Sequence, residues 1–269
     1  MKDIAIDIVA SLPAGSSGLN VLREYVQSRV LGSMQSARAM GPLAFMGGTA
    51  LRFVYRVPRY SEDLDFTYER KELPFSFRDM LAHIRRDLEG QGYEITLRLN
   101  DTHVVEKSFI GFVGLLAEAG LSPHVDQALW VKLEVDTNPP AAAGLDVSRI
   151  DRFGPLRIQH HNLPTLFAGK LAALLCREYT KGRDLYDLMW YLMRMPPLEP
   201  NGAFLEHALR QSRPELADEA SAEWTGLLRG RLAAVHWADA RRDVAPFLED
   251  RRGLELIAFE TFEDLLAAR

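Results

Sequence analysis

The residues best suited to chemistry fall in one short stretch. It runs Gly47-Gly48-Thr49-Ala50-Leu51-Arg52 and then Arg59-Tyr60-Ser61-Glu62-Asp63-Leu64-Asp65-Phe66. Two glycines after an apolar strand let the backbone approach a ligand closely, and a helix starting behind them aims unpaired N–H groups outward, as phosphate sites require. Asp63 and Asp65 stand two apart in a strand pattern, so both carboxylates project from the same sheet face. Hard oxygen ligands so close together suit the divalent cations that accompany a nucleoside triphosphate. Alone, Gly47-Gly48 also reads as a plain β-turn and the aspartates as a solvated strand face. Their combination is what points to a nucleotide site.

A third acid is expected from a neighbouring strand. In Val131-Lys132-Leu133-Glu134-Val135-Asp136 the alternation puts Lys132, Glu134 and Asp136 on one face and Leu133 and Val135 toward a core. Glu134 lies nearer the strand centre and is preferred as the metal ligand, with Asp136 the alternative and Lys132 a charge partner. An exposed edge-strand face explains the same pattern. Further on, Lys170 and Arg177 are seven apart and so lie near one face of a helix. Lys181-Gly182-Arg183-Asp184-Leu185-Tyr186-Asp187-Leu188 breaks that helix and starts another. Asp184 and Asp187 are expected in its first turn, where the macrodipole favours anions and a capping role accounts for them. The functional reading has Lys170 touching a triphosphate and Asp184 or Asp187 orienting it.

Elements that could hold these groups follow from periodicity. Leu19, Val21, Leu22, Tyr25, Val26 and Val30 give a helix over 19–36. Residues 43–46 are an apolar strand, after which Thr49 is expected to cap a helix that ends near Pro58. A strand over 64–68 and an amphipathic helix over 75–90 follow. Strands are expected over 93–99, 104–113 and 128–135, the first from strict alternation of Tyr93, Ile95, Leu97 and Leu99. From Pro164 the period becomes helical and stays so to the end. The architecture expected is α+β: an α/β core with a mixed sheet over 1–160, then a helical domain over 161–269 completing the active site.

The 269 residues, 47% hydrophobic and 26% charged, are ordinary globular values that exclude a disordered or low-complexity chain. A single cysteine, Cys176, excludes an intrachain disulfide and a Cys-rich zinc site, and it stands beside Leu174-Leu175 as a core residue. With no secretory apolar run at the N-terminus and no stretch long enough to span a bilayer, a cytoplasmic protein without membrane association is expected. His160-His161 is a poor metal pair, because neighbours on a strand point to opposite faces. The net charge of −5 excludes a globally basic nucleic-acid coat. Local clusters remain available in Arg52, Arg56 and Arg59 and in Arg177, Lys181 and Arg183, unless these are salt-bridged surface groups.

The runs GGTALRFVYRVPRYSEDLDF, VKLEVD and LFAGKLAALLCREYTKGRDLYDL resemble the AbiEii-type nucleotidyltransferase toxins of type IV toxin–antitoxin systems. These have the DNA polymerase β-like fold, and the resemblance covers residues 41–195. It implies transfer of a nucleoside monophosphate from an NTP to an acceptor hydroxyl, with pyrophosphate leaving. Carried over, Gly47, Gly48 and Thr49 cradle the phosphates, with Arg59 and Ser61 also on the nucleotide. Asp63 and Asp65 hold two Mg²⁺ ions, and Glu134 is the third acid, at the attacking hydroxyl. Lys170 neutralises triphosphate charge and Asp184 is the acid of the last motif. The implied acceptor is the 3′ end of tRNA or another RNA, and the implied partner a separately encoded antitoxin. Two rival readings use the same residues: an inactive relative that binds nucleotide or partner, and a metal-dependent phosphodiesterase with water as nucleophile. Intact acids count against the first, and the glycine pair favours a triphosphate over the second.

Overall fold

The computed structural model describes residues 1–13 and 16–269; Ala14 and Gly15, in the N-terminal stretch read as carrying no leader, lie outside the described residues. One unit comprises Met1–Arg56, Tyr60–Pro139 and Val147–His160. Its elements in chain order are α1 (Lys2–Ala10), α2 (Gly18–Ser36), β1 (Leu43–Met46), α3 (Gly47–Tyr55), β2 (Asp63–Tyr68), α4 (Phe77–Gly90), β3 (Glu94–Asn100), β4 (Val105–Val113), α5 (Leu115–Glu118), β5 (Ala128–Asp136), β6 (Leu145–Ile150) and β7 (Leu156–His161). The strands form a mixed sheet ordered β3-β4-β5-β2-β1-β7-β6, an α+β architecture. β2 runs parallel to β5 and antiparallel to β1.

Capping and burial explain these elements. Ser17 accepts from the Asn20 N–H to start α2, and Ser76 from the Asp79 N–H to start α4. Leu22, Val26, Val30, Leu81, Ile84 and Leu88 are fully or almost fully buried, as are Ile110, Phe112, Val131, Leu133 and Val135. Phe45 and Phe66, opposite each other on β1 and β2, stack at 4.9 Å. β5 shows strict alternation of buried and half-buried positions, so its polar members share the opposite face.

Several expectations need correction. The strand β1 passes directly into α3, so Gly47 and Gly48 are its first residues rather than a separate turn. Thr49 does not cap that helix; Met46 is the N-cap residue, and the fully buried Thr49 hydroxyl donates to the Asp63 carbonyl. Arg177 lies just past its helix in extended backbone, because that helix ends at Cys176. Asp187 falls in the second turn of its helix, not the first.

The second unit comprises Val57–Arg59, Pro140–Asp146 and His161–Arg269. It contains α6 (Leu163–Cys176), α7 (Gly182–Leu192), α8 (Gly202–Ser212), α9 (Pro214–Leu232), α10 (Trp237–Val244) and α11 (Phe259–Ala267). The two early segments join it through backbone bonds: Pro58 O accepts from Glu249 N at 3.4 Å, and Gly144 O from Asn162 N at 2.8 Å. Asn162 caps α6 through the Thr165 N–H. A Cβ on Gly182 would stand 1.9 Å from the Ala240 carbonyl oxygen, so α7 and α10 pack at a distance only glycine permits. Among the described residues no helix is long and apolar enough to cross a membrane.

Candidate active site

The parallel pairing of β2 with β5 places Asp63 opposite Lys132 and Asp65 opposite Glu134. Residues paired in register share a face, so three carboxylates and one ammonium form a compact polar square. Lys132 Nζ donates to Glu134 Oε2 at 2.6 Å. Partial burial opposes the charged ammonium. The hydrogen bond to Glu134 and the fields of Glu134, Asp63 and Asp65 outweigh it and hold Lys132 above the usual lysine range. Lys132 thus feels all three acids. Asp136 stands two residues beyond Glu134, opposite Thr67.

Gly47 closes one side of this square. It has φ +73°, and a Cβ there would lie 2.6 Å from Asp65 Oδ2. Any side chain at this position would therefore collide with the carboxylate as well as strain the backbone. Thr49 fixes the start of β2 through the Asp63 carbonyl, and Gln27 of α2 donates to the Ser61 and Glu62 carbonyls at 3.1 and 2.8 Å. Two elements thereby hold the strand that carries Asp63 and Asp65. Gln27 was not foreseen, although a glutamine within a buried helix stripe signals a specific acceptor.

Among the described residues, no group of three or more His, Cys, Asp or Glu side chains is gathered as a set of metal ligands. Glu134 is drawn along its own strand toward Lys132, the available countercharge. The donor set still fits a hard divalent cation: carboxylate oxygens on adjacent strands of one face, beside a glycine that leaves no side chain in the way.

Arg52 is not an exposed cation. It is almost fully buried and pairs with Glu24 through Nε at 2.5 Å, while Arg152 reaches the other Glu24 oxygen at 2.9 Å. Tyr60 lies over the Arg52 guanidinium at 4.7 Å. This network braces α3 against α2 and does not offer charge to RNA.

In the second unit, Arg59 is likewise buried, with Nε and Nη2 donating to the two Asp187 oxygens at 2.5 Å each. Lys170 Nζ lies 2.7 Å from Asp184 Oδ1 and 2.8 Å from Asp187 Oδ2, and Arg177 pairs with the other Asp184 oxygen. Burial would neutralise Lys170, but Asp184 and Asp187 hold its pKa above the usual value. Burial likewise opposes ionised Asp184, yet Lys170 and Arg177 hold it below the usual carboxylate range. The cluster sets three basic side chains, Arg59, Lys170 and Arg177, against two acidic ones, Asp184 and Asp187.

His160 and His161 end β7 with separate partners: Ser148 Oγ at 2.9 Å from His160 Nε2, and the Phe204 ring at 5.5 Å from His161.

A family model described as nucleotidyl transferase AbiEii toxin, type IV TA system, matches residues 29–268. No curated protein matches the sequence. Among solved structures, MenT4, a nucleotidyltransferase toxin from Mycobacterium tuberculosis H37Rv, superposes with a TM-score of 0.59 at 16% identity, over 100% of this chain and 90% of that one. A candidate nucleotidyltransferase from H. pylori gives 0.53 at 16% identity, over 94% and 96% of the two chains. JHP933 from Helicobacter pylori gives 0.51 at 17%, over 94% of each.

Proposed function

Because the chain belongs to the AbiEii nucleotidyltransferase toxin family, with an NTP as substrate and an antitoxin as partner, we propose that it works in the cytoplasm and transfers a nucleoside monophosphate to the 3′ end of tRNA, with Mg²⁺ held by Asp63, Asp65 and Glu134. The observation that carries this reading is the register of β2 on β5, which sets Glu134 beside Asp65 and Lys132 beside Asp63.

Phosphoryl transfer asks the protein for positioning and charge neutralisation rather than a covalent group. Bound divalent cations would supply charge neutralisation on the phosphates and acidify the attacking hydroxyl. Asp63 and Asp65 present their carboxylates from one rigid strand, anchored at its start by Thr49 and Gln27. Gly47 leaves room for Asp65, and the first N–H groups of α3 have no partner within the helix, as any helix start provides. Lys132 donates to Glu134 at 2.6 Å, and Glu134, the third acid of the resemblance, is assigned the proton of the acceptor hydroxyl. Asp136 remains the second choice for that task. Lys170 is assigned to triphosphate charge and Asp184 to holding Lys170 ionised, on the strength of the family motif and their 2.7 Å pair.

The test is incubation with each α-labelled NTP, Mg²⁺ and total bacterial RNA. Label in a tRNA band, lost in Asp63→Ala, supports the reading. Label on protein alone, or transfer undiminished in the variant, overturns it.

A further inference from the structure

The face that carries the acids continues across β4 and β3. Antiparallel register sets Lys107 opposite Glu134, Phe109 opposite Lys132 and Gly111 opposite Trp130, and on the far side sets Arg98 opposite Phe109. Paired residues project to one face, so Arg98, Lys107, Phe109 and Trp130 share that of Lys132 and Glu134. Gly111 shows how the indole lies. A Cβ there would come within 2.8 Å of Trp130 Cζ3 and 2.7 Å of Thr96 Cγ2, so the ring lies across β4 above the glycine. The Arg98 guanidinium sits 4.3 Å from the centroid of that ring, and Phe109 meets it edge-on at 6.5 Å.

Arg98 and Phe109 are open to solvent, and Lys107 and Trp130 are half-buried. Phe109 is 39% exposed and Arg98 is exposed, and among the described residues neither Arg98 nor Lys107 has an ion-pair partner. The sequence-level candidates Arg52, Arg59 and Arg177, by contrast, are committed to carboxylates. A solvated strand face ordinarily carries small polar residues; this one carries two large aromatics flanked by unpaired cations. Aromatic rings beside cations suit single-stranded nucleic acid, whose bases stack and whose phosphates seek positive charge.

Resting on the reading that the acceptor is RNA, we propose that the β3–β4–β5 face is the docking surface for its single-stranded end. Bases stack on Phe109 and on the Arg98–Trp130 pair, phosphates contact Arg98 and Lys107, and the terminal hydroxyl reaches Glu134. Trp130 and Glu134 are four residues apart on β5, which at ~3.3 Å per residue spans about 13 Å. That is the length of about four stacked nucleotides at ~3.4 Å each.

The experiment is fluorescence anisotropy of a labelled 12-nucleotide single-stranded RNA with the full chain, without NTP or Mg²⁺, so that docking is read apart from transfer. Arg98→Gln combined with Lys107→Gln should weaken binding at least tenfold and flatten the salt dependence by about 1.4 log units per log unit, two contacts at ~0.7 each. Phe109→Ser should weaken binding about tenfold and leave the salt slope unchanged. All these side chains lie on a solvent-facing surface, so thermal unfolding should move little, which shows that the variants fold. Unchanged affinity and slope in both variants overturn the proposal. A wild-type chain that binds no RNA but forms a dimer, or holds purified antitoxin, through Phe109 also overturns it. Transfer to RNA with binding indifferent to these changes removes the docking surface alone. Docking that depends on them, with no transfer to any RNA, removes the functional reading alone.

Discussion

Replacing Gly47 by alanine tests the account where backbone geometry and chemistry meet. The position has φ +73°, where an L side chain costs about 1–2 kcal/mol. The new methyl would also stand 2.6 Å from Asp65 Oδ2, against ~3.4 Å for ordinary contact, so the carboxylate must retreat by close to 1 Å. A misplacement of that size at a reacting centre costs about 100-fold in rate. At ~2–4 °C per kcal/mol for a chain of this size, the melting temperature should fall by about 2–8 °C. The assays are label transfer from NTP to RNA at saturating Mg²⁺ and scanning calorimetry. Gly90→Ala is the control: it lies in α4 with nothing within 4 Å of its Cβ, and should be neutral or stabilise by up to ~1 kcal/mol. A Gly47→Ala protein with wild-type rate would refute the claim that Asp65 needs this glycine, whatever its melting temperature.

Thr49→Val removes the hydroxyl that donates to the Asp63 carbonyl; we expect about 1 kcal/mol lost by denaturant titration and a smaller loss of transfer than for Gly47→Ala. Lys170→Met leaves Asp184 and Asp187 without their shared ammonium and should cost about 3–5 kcal/mol in urea unfolding, with NTP dependence raised in whatever remains folded; unchanged stability would mean that the cluster is not a buried network. The same cluster sets a pH window for the wild type. Asp184 is held below its ordinary pKa, so its contribution is present above about pH 4 and lost as pH falls below that. Lys170 is held above its ordinary value, so its contribution persists to about pH 10.4 and is lost above it. Lys170→Met should therefore lose less stability than the wild type as pH falls through about 4, and equal losses in the two proteins would contradict this.

How much of this was legible in the sequence varies with the physics of each element. Alternation exposed β5 because its two faces meet different surroundings, and the Asp63–Asp65 spacing fixed a common face once β2 was read as a strand. The strand β7 was read only at His160-His161 and its extent was missed, because its polar residues are buried. Gln159 donates to the Gly41 and Leu43 carbonyls at 3.3 and 3.1 Å, and His160 and His161 are enclosed, so no polar–apolar pattern survives. The helix α1 and the strand β6 also went unread. Arg52 and Arg59 looked like surface charges because their carboxylate partners are 28 and 128 residues away in sequence, which no local pattern reveals. The aromatic face was hidden for a similar reason. Arg98, Phe109 and Trp130 come from three strands, and only their register brings them together.

The central claim is that the acids on β2 and β5 serve nucleotidyl transfer. Its most direct test is pyrophosphate release coupled to 3′-end extension of purified tRNA, comparing wild type with Asp65→Asn at matched far-ultraviolet circular dichroism. Stoichiometric release and extension by the wild type, with both reduced by at least 1000-fold in the variant, is the predicted result. Equal extension by the two proteins, or pyrophosphate released without extension, would contradict it.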